Sequence, residues 1–195
     1  MKRKLLSIIF VINLIFGSVF AIEPDVFVQS TVNRASKLLS ENISKDEKIE
    51  KLKSIAKDTV DIKGIGFYTL GKARKNLSDS NKAIYSDLFE EYFLKSFSSR
   101  LAEYTNPEID VFDKEILNKN YTIVNSVLKA TSERPEIKID WRIYTKNPEQ
   151  PLIRDLIIEG LSLARTQKEE FASVLSSNDG NISALFETLK KFSKE

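Results

Sequence analysis

The chain contains neither cysteine nor histidine. Without cysteine there is no disulfide framework, and a domain of this size must rely on its core. With both residue types missing, zinc and most transition metals lose their usual ligands. A Ser-His-Asp or Cys-His device is excluded. The commonest general acid–base group near neutral pH is also absent. An enzyme would have to work with carboxylate, tyrosine or lysine alone. There is no internal repeat and no long low-complexity linker.

What is present suits one domain behind a targeting segment. The chain has 195 residues, 42% of them apolar, enough for a sizeable core. Lys2, Arg3 and Lys4 precede an apolar run over residues 5–16, and Val19 and Ala21 follow at cleavage-site spacing. That order is the one found in a secretory signal peptide. The rival reading is an uncleaved membrane anchor. The run is shorter than the ~20 residues a spanning helix needs, and Asn13 interrupts it. Residues 1–21 are therefore expected to be a cleavable leader, and residues 22–195 a single domain.

Cleavage changes the charge argument. The whole chain carries 30 basic and 28 acidic residues. Removing the three basic residues of the leader leaves 27 against 28, a net charge of −1. No basic stripe suggests a nucleic-acid partner. No polybasic patch suggests permanent attachment to an anionic membrane surface.

Pro24 suits the first turn of a helix, and Ser44-Lys45-Asp46-Glu47 has the capping-box pattern for a second. Asp61 can cap a third, short helix closed by Gly71. Gly64 and Gly66 lie inside it. They are a poor phosphate loop, because no strand precedes them and no Lys-Ser/Thr follows. Ser78 is placed to cap the longest helix, running to about Tyr104. Its apolar face holds Tyr85, Leu88, Phe89, Tyr92, Phe93, Phe97, Leu101 and Tyr104. Such a stripe is ordinary core in most proteins, but it would also make a smooth wall for an apolar ligand.

Asn106-Pro107 breaks the helical pattern, and four strand candidates follow at residues 108–112, 121–130, 136–145 and 152–159. In the third, Ile137, Ile139, Trp141 and Ile143 face one way, while Lys138, Asp140 and Arg142 face the other. It should pair with the fourth. Gly160 ends that strand and Ser162 can cap a helix over residues 163–175. A last helix spans residues 182–192. Helices, then strands, then helices indicate an α+β fold with an antiparallel four-stranded sheet covered by helices.

The assembled pattern resembles the MlaC family, the periplasmic phospholipid-binding component of the Mla (maintenance of lipid asymmetry) system, also labelled the toluene-tolerance family. The resemblance runs from about Pro24 to Phe192. It rests on Val60-Asp61, Leu70-Gly71 and the aromatic helix ending Arg100-Leu101-Ala102-Glu103-Tyr104. Its most specific piece is Asp155-Leu156-Ile157-Ile158-Glu159-Gly160-Leu161-Ser162-Leu163, followed by Phe171. The chain departs from the family pattern at Ala73-Arg74, where the family tends to carry aromatic residues. The resemblance implies a twisted sheet in an NTF2-like (nuclear-transport-factor-like) cone with an internal apolar cavity for acyl chains. It implies a periplasmic, non-catalytic carrier without a cofactor, which shuttles glycerophospholipid between outer and inner membranes. The implied partners are an inner-membrane ABC transporter complex, met through its lipid-exchange-domain subunit, and an outer-membrane lipoprotein complex. A monomer is expected.

The residues expected to touch lipid are Phe67, Leu70, Tyr85, Phe89, Phe93, Phe97, Val127, Ile137, Ile139, Trp141, Ile143, Leu156, Ile158 and Leu163. For the β residues among them, the competing reading is a sheet face packed on helices. Asp155, set among apolar neighbours, invites a catalytic role. An ion pair with Arg142, Arg154 or another cation is the preferred reading. Two other function classes stay open. One is a small secreted isomerase of the same cone fold, with Tyr85 or Tyr92 facing Asp110 or Asp140. The other is an interaction protein with a filled core.

The leader generates the first prediction. Intact-mass measurement on the exported protein should show a chain beginning at Ile22. A membrane-bound form that keeps residues 1–21 would reject the leader.

Overall fold

The computed structural model describes residues 21–194. The expected leader lies outside the described residues except for Ala21.

Helix starts follow the capping chemistry. Pro24 opens α1 (Pro24–Ser40), where its missing N–H costs no helical bond. Ser44 opens α2 (Lys45–Thr59) by accepting from the Glu47 N–H at 3.2 Å. Asp61 accepts from the Gly64 N–H at 2.8 Å and opens α3 (Ile62–Thr69). After a 3-10 turn at Ala73–Lys75, Ser78 caps α4 (Asp79–Leu101). This helix ends three residues before Tyr104. The Tyr104 N–H turns back onto the Leu101 carbonyl at 3.0 Å, and Asn106 then takes a φ of +47°.

The strands are β1 (Ile109–Asn118), β2 (Tyr121–Leu128), β3 (Ile137–Tyr144), β4 (Leu152–Ile158) and β5 (Leu161–Ser162). They form one antiparallel sheet in sequence order. The expected pairing of β3 with β4 is present, with Trp141 opposite Leu156 and Ile139 opposite Ile158.

Two strand expectations need correction. The sheet has five strands, not four. Glu159 and Gly160 both take positive φ, +50° and +82°, as a two-residue hairpin turn requires, and the chain folds back for one short pairing. The first strand is also longer than residues 108–112. It continues through Asp113, Lys114 and Glu115, whose charges hide the alternation. Lys114 is instead held by Glu23 and Asp25 at the start of α1, at 2.6 and 2.7 Å.

Ser162 then caps α5 (Leu163–Ser176) by accepting from the Arg165 N–H at 3.1 Å, and α6 (Ile182–Lys194) closes the chain. One core joins α1, α3, α4, α5 and α6 to the face of the sheet that carries Trp141 and Ile143. Gly66 has a packing role. A Cβ there would lie 2.8 Å from the Phe89 ring, so its absence lets α3 settle on α4. Trp141 is 8% exposed, and its indole N–H is satisfied by Ser126 Oγ at 2.8 Å.

The junction of β4, β5 and α5 turns on Asp155, only 3% exposed. Its carboxylate accepts from Arg142 Nη1 at 3.2 Å, Ser162 Oγ at 2.6 Å and the Ala164 N–H at 3.0 Å. A register shift between Arg142 and Ile143 makes room for this. Arg142 faces Asp155 and Ile143 faces Ile153, leaving Arg154 as the extra residue of a bulge. The preferred ion-pair reading of Asp155 is what the structure has.

Asp155→Ala would strand three donors at this junction. It should lower the unfolding free energy by about 3 kcal/mol in urea titrations of the mature chain. A loss below about 0.5 kcal/mol would mean that the carboxylate does not hold the junction.

Candidate functional site

Along α4, one face changes character. Phe89, Tyr92, Phe93, Ser96, Phe97 and Arg100 recur at helical spacing. Phe89 is 2% exposed, Tyr92 to Phe97 are half-buried, and Arg100 stands in solvent. The aromatic rings support one another. Phe93 stacks on Phe97 at 5.5 Å and 12°, and Phe171 of α5 meets Phe89 edge-on at 6.2 Å.

Opposite this face lie Trp141 of β3, Ile153, Asp155 and Leu156 of β4, and Leu163 and Ala164 of α5. Between the two surfaces is a cavity of about 250 Å³. Val60 and Ile65 complete its apolar wall, and Thr166, Gln167 and Glu170 join Ser96 and Arg100 in lining it. The Tyr92 hydroxyl donates to Gln167 Oε1 at 2.7 Å, linking α4 to α5. Gln167 in turn donates to Glu170 at 2.9 Å. Three hollows are larger: two, over α1 and between α2 and α4, are shallower and lined mostly by polar and charged side chains, and a third, of about 310 Å³, lies under the turn from β1 to β2.

Six of the expected lipid residues line this cavity together: Phe89, Phe93, Phe97, Trp141, Leu156 and Leu163. The others lie elsewhere. Leu70, Tyr85, Ile139 and Ile143 are buried in the packed core. Phe67 and Ile137 are partly buried against that core. Ile158 pairs with Ile139 beyond the cavity, next to the hairpin turn. Val127 pairs with Lys138, which puts it on the opposite sheet face from Trp141. Alternation gives the face of a strand residue, but not its depth along the strand.

Sequence reasoning left out Val60, Ile65, Ser96, Arg100, Ile153, Ala164, Thr166, Gln167 and Glu170. A signal existed for some. Leu163, Thr166, Gln167 and Glu170 recur at helical spacing, so one stripe of α5 runs from apolar to acidic.

The carboxylates weighed for acid–base work do not converge with the tyrosines. The Tyr85 hydroxyl lies 2.8 Å from Thr69 Oγ1 and donates to the Gly66 carbonyl at 3.1 Å. Asp110 pairs with Lys129 at 3.2 Å, and Asp140 accepts from Asn125 at 2.8 Å. Among the described residues no group of histidine, cysteine, aspartate and glutamate could hold a metal ion. No described helix is long and apolar enough to cross a membrane.

A family model described as MlaC protein matches residues 29–191. Among solved structures, the chain is similar to a phospholipid-binding protein from Ralstonia solanacearum, determined in complex with a phospholipid. The TM-score is 0.75 at 17% identity, over 89% of this chain and 98% of that one. No curated protein matches the chain.

Burial gives the site region a pH dependence. It pushes the Tyr85 phenol well above its usual value, with the Thr69 hydrogen bond acting weakly the other way. Burial, and then the nearby Glu170, also raise Tyr92. Both are neutral in the folded protein and ionise more readily once unfolded. Their contribution is in place below pH 10.0 and is lost as the pH rises through the folded-state values. Urea midpoints should fall between about pH 9 and about pH 11, and fall less in a Tyr85→Phe/Tyr92→Phe variant. Equal slopes would remove these two phenols as the cause.

Proposed function

The chain belongs to the MlaC family, and from that premise we propose that it carries glycerophospholipid across the periplasm. In this reading it shuttles lipid between outer and inner membranes, maintains outer-membrane lipid asymmetry and performs no covalent chemistry. The observation that carries the reading is the graded cavity. It is aromatic and apolar at depth, with polar and charged side chains toward Arg100 and Glu170. A diacyl lipid has about 30 methylenes, so exposing its chains to water costs on the order of 20 kcal/mol at ~0.8 per methylene. Crossing an aqueous gap requires that the chains be enclosed. The head group can stay in water, which avoids burying its charge.

The proposal assigns the chains to Phe89, Phe93, Phe97, Trp141, Leu156 and Leu163. It takes the sheet and its covering helices as the cone of the nuclear-transport-factor-like type. Residues 1–21 export the protein, and residues 22–195 act as one domain. Lipid is exchanged with an inner-membrane ABC transporter complex through its lipid-exchange-domain subunit, and with an outer-membrane lipoprotein complex. The Ralstonia protein's bound phospholipid supports the ligand class.

Lipid extraction and mass spectrometry of the purified mature protein should return intact phospholipid. Labelled phospholipid should move between two vesicle populations unchanged. Lysolipid or free fatty acid that scales with protein would overturn the carrier reading. Two variants place the chains. Phe97→Glu, on the half-buried cavity wall, should give a folded protein that purifies without lipid. Ile139→Glu, 9% exposed within the packed core, should fold poorly. A Phe97→Glu protein that folds and keeps its full lipid load would remove the chains from this cavity.

A further inference from the structure

The polar lining of the cavity is almost wholly satisfied within the protein. Asp155 is occupied by Arg142, Ser162 and the Ala164 N–H. The Trp141 indole donates to Ser126, and the Thr166 hydroxyl donates to the Ser162 carbonyl at 3.1 Å. Tyr92, Gln167 and Glu170 form one chain, in which the Glu170 carboxylate is the last acceptor. Two lining side chains are left over. Among the described residues, neither the Ser96 hydroxyl nor the Arg100 guanidinium makes a hydrogen bond or an ion pair. Glu103, three residues on, and Glu170, on the facing wall, do not pair with Arg100.

These two belong together. Four residues apart on α4, they share the cavity face at about 6 Å along the helix axis. Helical side chains lean toward the N-terminus, so Arg100 leans back over Ser96. Ser96 is half-buried above the stacked rings of Phe93 and Phe97, and Arg100 stands in solvent. Carbonyls at the end of a helix repel an anion. Here the N–H groups of Ala102, Glu103 and Tyr104 turn back onto the carbonyls of Ser98, Arg100 and Leu101. A hydroxyl and a guanidinium fork with no other acceptor suit a phosphate oxygen pair. On the facing wall, the Glu170 carboxylate disfavours an anion and leaves the α4 side as the place for it.

We propose that Ser96 and Arg100 anchor the phosphodiester of the guest lipid and make the carrier discriminate between phosphate-bearing and neutral diacyl amphiphiles. The inference rests on the carrier reading and adds to it what holds the polar end at the rim. The chains stay among the rings below, and the phosphate keeps part of its water. The contact is therefore a screened one, and its effect on selection is a few-fold.

Vesicles with equal amounts of phosphatidylglycerol and diacylglycerol, of identical acyl chains, supply the two guests in competition. The mature protein is loaded from them, re-isolated and extracted, and both lipids are counted by mass spectrometry. Arg100→Gln should lower the ratio of phospholipid to diacylglycerol about fivefold, and Ser96→Ala about twofold. Arg100→Lys keeps the charge without the fork and should fall between Arg100→Gln and the unchanged protein. Arg100 holds no other element in place, so the ratio reads the anchor rather than the fold. A ratio that Arg100→Gln leaves as it was would overturn the proposal, whether or not the total load falls. A protein that takes up neither lipid would overturn the carrier reading, and the anchor with it. A second probe separates lipid phosphate from the free ion. In isotope-labelled protein the Arg100 Nε–H resonance, identified by its loss in Arg100→Gln, should shift on loading with phosphatidylglycerol and stay in place with inorganic phosphate. An equal shift with inorganic phosphate would mean a free-anion site and overturn its tie to the guest.

Discussion

The fold depends on one buried carboxylate. Asp155 sits where a strand, a hairpin turn and a helix start must agree within a few residues. A carboxylate that is 3% exposed is tolerable only if its oxygens are occupied, and each partner here comes from a different element. Arg142 ties it to β3, Ser162 to β5, and the Ala164 N–H to the first turn of α5. Ser162 does two jobs, donating to Asp155 while accepting from the Arg165 N–H. The helix is thereby fixed in direction at the point where it leaves the sheet. That direction sets the wall of the cavity, since Leu163, Ala164, Thr166 and Gln167 follow at once.

The opposite wall is fixed differently. α4 owes its position to close approach, with Gly66 letting α3 lie on Phe89. The Tyr85 hydroxyl, satisfied by Thr69 and Gly66, adds a polar anchor beneath the aromatic row. Two walls set by independent means can stand apart without collapsing on each other. The bond from Tyr92 to Gln167 then spans them. A cavity among aromatic side chains forfeits dispersion contacts along its lining. The satisfied polar anchors on either side offset that loss.

Much of this was legible in the sequence, and the rest was hidden for specific reasons. Ser44, Asp61, Ser78 and Ser162 act through local hydrogen bonds, so their helix starts could be placed. The β3–β4 pairing followed from clean alternation; an ion pair for Asp155 was expected, but the choice of Arg142 over Arg154 came only with the register. β5 was missed because two residues carry no periodicity. The far half of β1 was missed because an edge strand can hold charges that read as a loop. For the cavity, sequence found the faces but not their depth. Ile139 and Trp141 share a face, yet only Trp141 reaches the space between β4 and α5. Ile139 lies two residues further along the strand, opposite Ile158 beside the hairpin turn, and that depth is a tertiary feature. The bond of Tyr92 to Gln167 was not foreseen, because the two lie far apart in sequence.

The missing histidine and cysteine therefore weigh differently on different functions. Chemistry at a bond needs groups of suitable pKa held against one another, and their loss removes the commonest of these. Enclosing acyl chains needs none of them. It needs area, a shape that keeps water out, and a way to leave the polar end of the guest in solvent. Area is what the phenylalanines of α4 supply, with Trp141, Leu156 and Leu163 facing them across the cavity. The change along one helix face from Phe89 to Arg100 then orders the site by polarity alone. The same face gives an isolated apolar molecule nothing to orient it. An amphiphile, with one end for the rings and one for the rim, matches the gradient along its whole length.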